Sequence, residues 1–168
     1  MIYALVRGWL AGMAAVFIEI LLSATFLASN VSSRFFLGQT GDTAFLPIAI
    51  VALIEEGMKF FVLRGISSET VPFFRNAAFK GLLVGAGFAL FEVGIKILFR
   101  GEAETFPLPG ALSGSVLHII TGGILGIAWL LSAKKKRPFV FFGLFFLATL
   151  LHILYNLLLS PVLFEYFS

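Results

Sequence analysis

Ile54-Glu55-Glu56-Gly57-Met58-Lys59 interrupts an apolar run that extends from Phe45 to Leu63. An ionised group costs roughly 2.5–3.5 kcal/mol at the centre of a membrane helix, so two adjacent carboxylates and a lysine require compensation there. Intramembrane ionisable residues generally face a bundle interior or a water-filled cavity. The other polar residues within the apolar parts of the chain are therefore expected to gather around this pair.

The chain has 168 residues, 60% of them hydrophobic and only 12% charged, with a mean hydropathy of +1.04, which excludes an ordinary soluble domain. Apolar runs of about 20 residues cross a hydrocarbon core of roughly 30 Å as helices. Such runs fall at about 9–28, 44–63, 78–99, 110–133 and 138–160. The expected fold is all-α, a polytopic membrane helical bundle of about five transmembrane helices that forms a single transmembrane domain over residues 1–168. With no cysteine there is no disulfide framework, thiolate metal site or cysteine nucleophile.

Arg7, the segment with Arg64, Arg75 and Lys80, and the run Lys134-Lys135-Lys136-Arg137 lie at alternate ends of these spans, whereas the opposite ends carry Arg34 and Arg100. The positive-inside rule then predicts a multi-pass cell-membrane protein with a cytoplasmic N-terminus and the C-terminus outside. The basic run between two spans reads as a topology signal and not as a nucleic-acid patch. The lipid bilayer is thus an expected partner and nucleic acid is not; the oligomeric state is left open.

In the first span, Glu19 argues against a signal peptide, and Ala11, Ala15, Glu19 and Ser23 form a four-step stripe suited to close packing. The Ser29–Thr43 connection is polar, and Pro47 is tolerated in the first turn of the second span. In that span Glu55 and Lys59 share a face, while Glu56 is turned by about 100°, so the expected intrahelical partner of Lys59 is Glu55. The third span carries Gly81 and Gly85 and then Phe88, Glu92 and Lys96. The acidic Gly101–Gly110 loop is expected to stay non-helical through Pro107 and Pro109. In the fourth span Gly114, His118, Gly122 and Gly126 recur every four residues, with Thr121 and Ser115 close to that face; the fifth places His152 and Asn156 on one face, one turn after Thr149.

At about 1.5 Å per residue from the basic ends, Glu92, His118 and His152 each lie roughly 21 Å deep and Glu55 roughly 13 Å, so a common cluster calls for the second helix to run past Arg64. The spans hold Glu19, Glu55, Glu56 and Glu92 against Lys59 and Lys96. Low dielectric does not tolerate this excess of carboxylates uncompensated: either carboxyls hold protons or a divalent cation sits among them. Amide hydrolysis needs a base for water, donors for the oxyanion and an acid for the leaving amine. Glu55 or Glu56 can take the proton, Glu92 can share it, His152 with Asn156 can donate to the oxyanion, and His118 can orient water or a carboxylate. Each also has a structural reading, as neutralised pairs or interhelical hydrogen bonds.

Glu55-Glu56-Gly57-Met58-Lys59 matches EExxK, Phe88-Ala89-Leu90-Phe91-Glu92 matches FxxxE, His118 is a lone helical histidine, and His152-Ile153-Leu154-Tyr155-Asn156 matches HxxxN. In this order the set resembles the PrsW-like branch of the intramembrane glutamic proteases, in the superfamily of the CAAX prenyl endopeptidases and Abi bacteriocin-immunity proteins. The resemblance implies an endopeptidase in which Glu55 activates water, Glu92 assists, and His152 and Asn156 form an oxyanion hole. Glu92 is similar to the PrsW side, whereas Asn156 stands where PrsW has Asp. The implied substrate is a membrane-bound protein or peptide, such as a single-span anti-sigma factor cut near the outer face. The family's members usually have more helices, so five would be a minimal core.

The expected enzyme needs no cofactor. Its mechanistic rival is a zinc protease with Glu55, Glu92, His118 and His152 as ligands, although no HExxH motif is present. A proton-coupled transporter built on the same buried groups, or a non-enzymatic scaffold, are readings from other classes.

Overall fold

A computed structural model describes residues 1–28, 45–66, 73–98, 108–135 and 137–165. All regular structure among them is helical: α1 (Ile2–Ala28), α2 (Phe45–Arg64), α3 (Phe74–Leu98), α4 (Leu108–Lys135) and α5 (Pro138–Glu165). Each expected span coincides with one helix, apart from residues 44 and 99, which lie outside the described residues. The Ser29–Thr43 connection, residues 67–72, Arg100 and the loop through Pro107 lie outside the described residues.

Four helical segments are long and apolar enough to cross a membrane: Ile2–Leu22, Phe74–Leu98, Ala111–Ala133 and Pro138–Leu158. The fifth helix, α2, is the one that carries Glu55, Glu56 and Lys59, and its position accounts for them. Among the described residues it alone touches each of the other four helices, whereas α1 and α5 do not touch each other. The helix with three ionisable residues at its middle thus has protein on several sides of it, as expected where unsatisfied polar groups cannot face hydrocarbon. The outward faces of its neighbours are apolar, with Phe17, Leu90, Phe142 and Phe146 exposed.

Pro109 lies inside the first turn of α4, contrary to the expectation that it ends the loop. A first-turn residue has no intrahelical N–H bond to lose, so proline is accommodated there.

Small residues set the helix spacing. A Cβ on Gly81 would lie 2.1 Å from the Gly122 carbonyl oxygen, and one on Gly85 would lie 2.1 Å from that of His118. Backbone therefore meets backbone along the α3–α4 contact, with glycine from both expected stripes facing inward. On α1, Ala11 and Ala15 are fully buried against Phe88, and Glu19 is half-buried further along.

An apolar layer containing Ala4, Leu63, Ala77, Leu125, Trp129 and Ala148 closes the basic end of the bundle. Leu63, Leu125 and Ala148 lie one turn from Lys59, Thr121 and His152, so this layer floors the polar residues above it.

Gly85→Ala is expected to push α3 off α4 and to cost about 1–3 kcal/mol through overpacking. Gly94→Ala, with nothing within 4 Å of the new Cβ, is expected to be neutral. Thermal unfolding in detergent checks both; equal melting temperatures for the two variants would contradict the close α3–α4 contact.

Candidate active site

Above the apolar floor, α2 presents Glu55, Glu56 and Lys59 toward α4 and α5. Lys59 pairs with Glu56, at 2.6 Å, and both side chains are wholly buried. This corrects the expected Glu55–Lys59 pairing. Spacings of three and four residues are both neighbours on a helix, so α2 alone does not choose between the two carboxylates. The choice is made from outside: Thr121 of α4 donates to Glu56 Oε1 at 3.1 Å, and His152 Nδ1 of α5 donates to the same oxygen at 2.8 Å.

Lys59 Nζ also donates to His118 Nδ1 at 2.8 Å and to Thr121 Oγ1 at 3.3 Å. An ammonium offers only donors, so His118 Nδ1 is an acceptor and its proton resides on Nε2, which donates to Glu92 Oε2 at 2.5 Å. Glu92 pairs in turn with Lys96, as the four-residue spacing predicts, and its side chain is a quarter exposed. The cluster therefore opens on the Glu92 side and is closed on the basic side.

Of the six residues singled out in the sequence, Glu56, Glu92, His118 and His152 are joined in this way, and Glu55 lies beside His152, with Oε2 3.2 Å from Nε2. Asn156, half-buried one turn beyond His152, stands outside the hydrogen-bond network. The cluster forms without the extension of α2 that the depth comparison called for, since the helix ends at Arg64. Arg7 Nη1 donates to the Val62 carbonyl at 3.1 Å, which ties the end of α2 to α1. Thr121 joins the site although its only sequence signal is its place one turn from His118. Lys59 joins through a partner that its spacing left ambiguous.

Two buried oxygens of the cluster, Glu56 Oε2 and Glu55 Oε2, accept no hydrogen bond, and the second faces a histidine. With its Nδ1–H committed to Glu56, a neutral His152 turns the lone pair of Nε2 toward Glu55 Oε2, 3.2 Å away. That oxygen is buried and accepts no hydrogen bond. Two acceptors facing each other in a buried site require a proton or a cation between them.

Glu55, His118 and His152 each offer a ligand atom, and these atoms lie within 4.8 Å of one another. Two imidazoles and one carboxylate form a donor set typical of catalytic zinc. Ligands on a tetrahedral zinc are about 3.3 Å apart, so a modest side-chain adjustment closes the set. Each histidine also has a nitrogen on a carboxylate, His152 on Glu56 and His118 on Glu92, as metal-ligating histidines generally do. The residues fit a divalent ion on one condition: His118 must release one of its two contacts, Lys59 on Nδ1 or Glu92 on Nε2. Glu92, expected as a fourth ligand, instead holds the far nitrogen of His118.

A family model described as PrsW family intramembrane metalloprotease matches residues 1–167. The match supports intramembrane proteolysis and a membrane-embedded substrate; the expected wider kinship with CAAX and Abi proteins lies beyond it. The family's description and the Glu55/His118/His152 set favour the metal alternative over the expected absence of a cofactor. No curated protein and no solved structure matches the chain.

Removing one partner of a buried pair strands the other charge, so Lys59→Met is expected to cost about 3–5 kcal/mol. Adding Glu56→Gln to Lys59→Met should cost less than the two single changes together. A double-mutant cycle measured by unfolding gives the coupling, and additivity would contradict the pair.

Proposed function

Because the chain belongs to the PrsW family of intramembrane proteases, we propose that it is a metal-dependent endopeptidase cutting membrane-bound peptides at the Glu55/His118/His152 cluster. The observation that carries this reading is the buried approach of Glu55 Oε2, which accepts no hydrogen bond, to His152 Nε2 within the Glu55/His118/His152 set. Glu55, His118 and His152 would hold the ion, which when bound supplies Lewis-acid activation of water and of the scissile carbonyl.

The chain's own residues prepare that site. Glu56 fixes the His152 ring through Nδ1–H, and Glu92 fixes the His118 ring through Nε2–H. Phe88 packs against the His118 ring at 4.9 Å between centroids and shields the site from the α1 side. Asn156, on the His152 face, supplies an amide toward the oxyanion once substrate is bound. The apolar floor and the partial exposure of Glu92 support entry of water and substrate from the end opposite the basic residues. With the N-terminus cytoplasmic, that end is the outer face, where a single-span substrate would be cut.

One observation favours a second, metal-free reading: Lys59 occupies His118 Nδ1. In that case Glu55 Oε2 takes a proton from water and passes it 3.2 Å to His152 Nε2. The resulting Nε2–H then donates to the oxyanion or the leaving amine. Both readings require Glu55.

Glu55→Gln is expected to lower cleavage of single-span membrane peptides by at least about 100-fold, in line with loss of a group that acts on the reacting atoms. Unchanged cleavage would overturn both readings. Purified wild-type protein is expected to contain one divalent ion per chain, to lose activity to a chelator and to regain it with zinc. Full activity of metal-free protein would replace the first reading with the second.

A further inference from the structure

A groove of about 470 Å³ lies between α1 and α2 at the basic end, lined by none of the residues of the catalytic cluster. It is lined by Arg7, Leu10, Phe61, Val62, Arg64 and Gly65. Its walls are apolar and face outward, with Leu10 and Phe61 exposed by 44% and 69%. Both of its ionisable residues are arginines, one from each helix.

Arg7 is held in place. One N–H donates to the Val62 carbonyl, and the guanidinium lies 4.4 Å over the Tyr3 ring. A Cβ on Gly65 would fall 2.4 Å from Arg7 Nη1, so the absence of a side chain there admits the guanidinium. A guanidinium has five N–H donors in a fixed fork that matches phosphate, and Arg7 spends one of them on Val62. Arg64, in the last turn of α2, is exposed at the same mouth.

We propose that this groove binds one anionic phospholipid, its phosphate between Arg7 and Arg64 and an acyl chain along Leu10, Phe61 and Val62. Charge complementarity selects the headgroup: basic pockets between membrane helices recruit anionic lipids, and here two arginines stand at the end of an apolar trough. The trough selects a lipid over a soluble phosphate, because its walls gain only from a chain lying against them. A bound lipid would bridge α1 to the end of α2, alongside the Arg7–Val62 hydrogen bond.

Native mass spectrometry of the full chain in neutral detergent, with an equimolar mixture of phosphatidylglycerol and phosphatidylcholine of identical chains, tests the site independently of proteolysis. One phosphatidylglycerol per chain is expected, preferred at least fivefold, with the preference falling to near unity in Arg7→Gln/Arg64→Gln. Inorganic phosphate at the same concentration is expected not to displace it. Should the double variant fail to fold, Arg64→Gln alone, at an exposed position, is expected to lose at least half of the preference. Equal retention of the two lipids by wild type, full preference in the folded variant, or displacement by inorganic phosphate would overturn the proposal. So would an effect of the variants on peptide cleavage with lipid preference unchanged, which would make the groove a contact for substrate.

Discussion

The bundle depends on one buried carboxylate oxygen. Glu56 Oε1 receives donors from Lys59 on its own helix, Thr121 on α4 and His152 on α5. In a low-dielectric interior such a hub is costly to form and more costly to leave half-formed, since any missing donor exposes an uncompensated charge. Its effect is positional. Three helices are fixed at one height and rotation by a single atom, and Lys59 extends the linkage through His118 to Glu92 on α3.

Polar contacts of 2.5–3.3 Å between helices need backbones that approach closely, and the glycines provide that approach. The carbonyl of His118 fills the space where a Gly85 side chain would stand. The residue whose ring bridges Lys59 and Glu92 is thus held by its backbone against α3 as well as by its side chain. In a membrane, where hydrophobic burial does not draw helices together, packing of this kind and interhelical hydrogen bonds are the available forces. The two are coupled here at the same residue.

The helices were legible because each is an apolar run of membrane-spanning length, and so were the inward faces, because glycine and polar residues recur at four-residue steps. The membership of the cluster was legible for five of its residues for the same reason: a polar group inside such a run has few places to go. What periodicity does not carry is the choice among partners. Lys59 is three residues from Glu56 and four from Glu55, and the decision rests with Thr121 and His152, more than 60 residues away in sequence. Depth is not carried by periodicity either: counting from the basic ends assumes that all helices end at one plane, and the cluster forms with α2 ending at Arg64. Asn156 shares a face with His152, but a shared face does not make a hydrogen bond.

The pairing pattern also locates the uncompensated charge. Glu56 has Lys59 and Glu92 has Lys96, so of the three carboxylates in the network Glu55 is the one without an ammonium on it. Its near neighbour is an imidazole whose proton points the other way, toward Glu56. The missing positive charge therefore belongs at Glu55 Oε2. A proton there neutralises the network, whereas a divalent ion overshoots by one, an excess that Glu19, within electrostatic reach of Glu55, is placed to balance. The carboxylate on α1, which the sequence places among the excess negatives of the spans, thus acquires a role under one mechanism and not under the other. Dependence of metal occupancy on Glu19 is a physical difference between the two readings that does not pass through substrate at all.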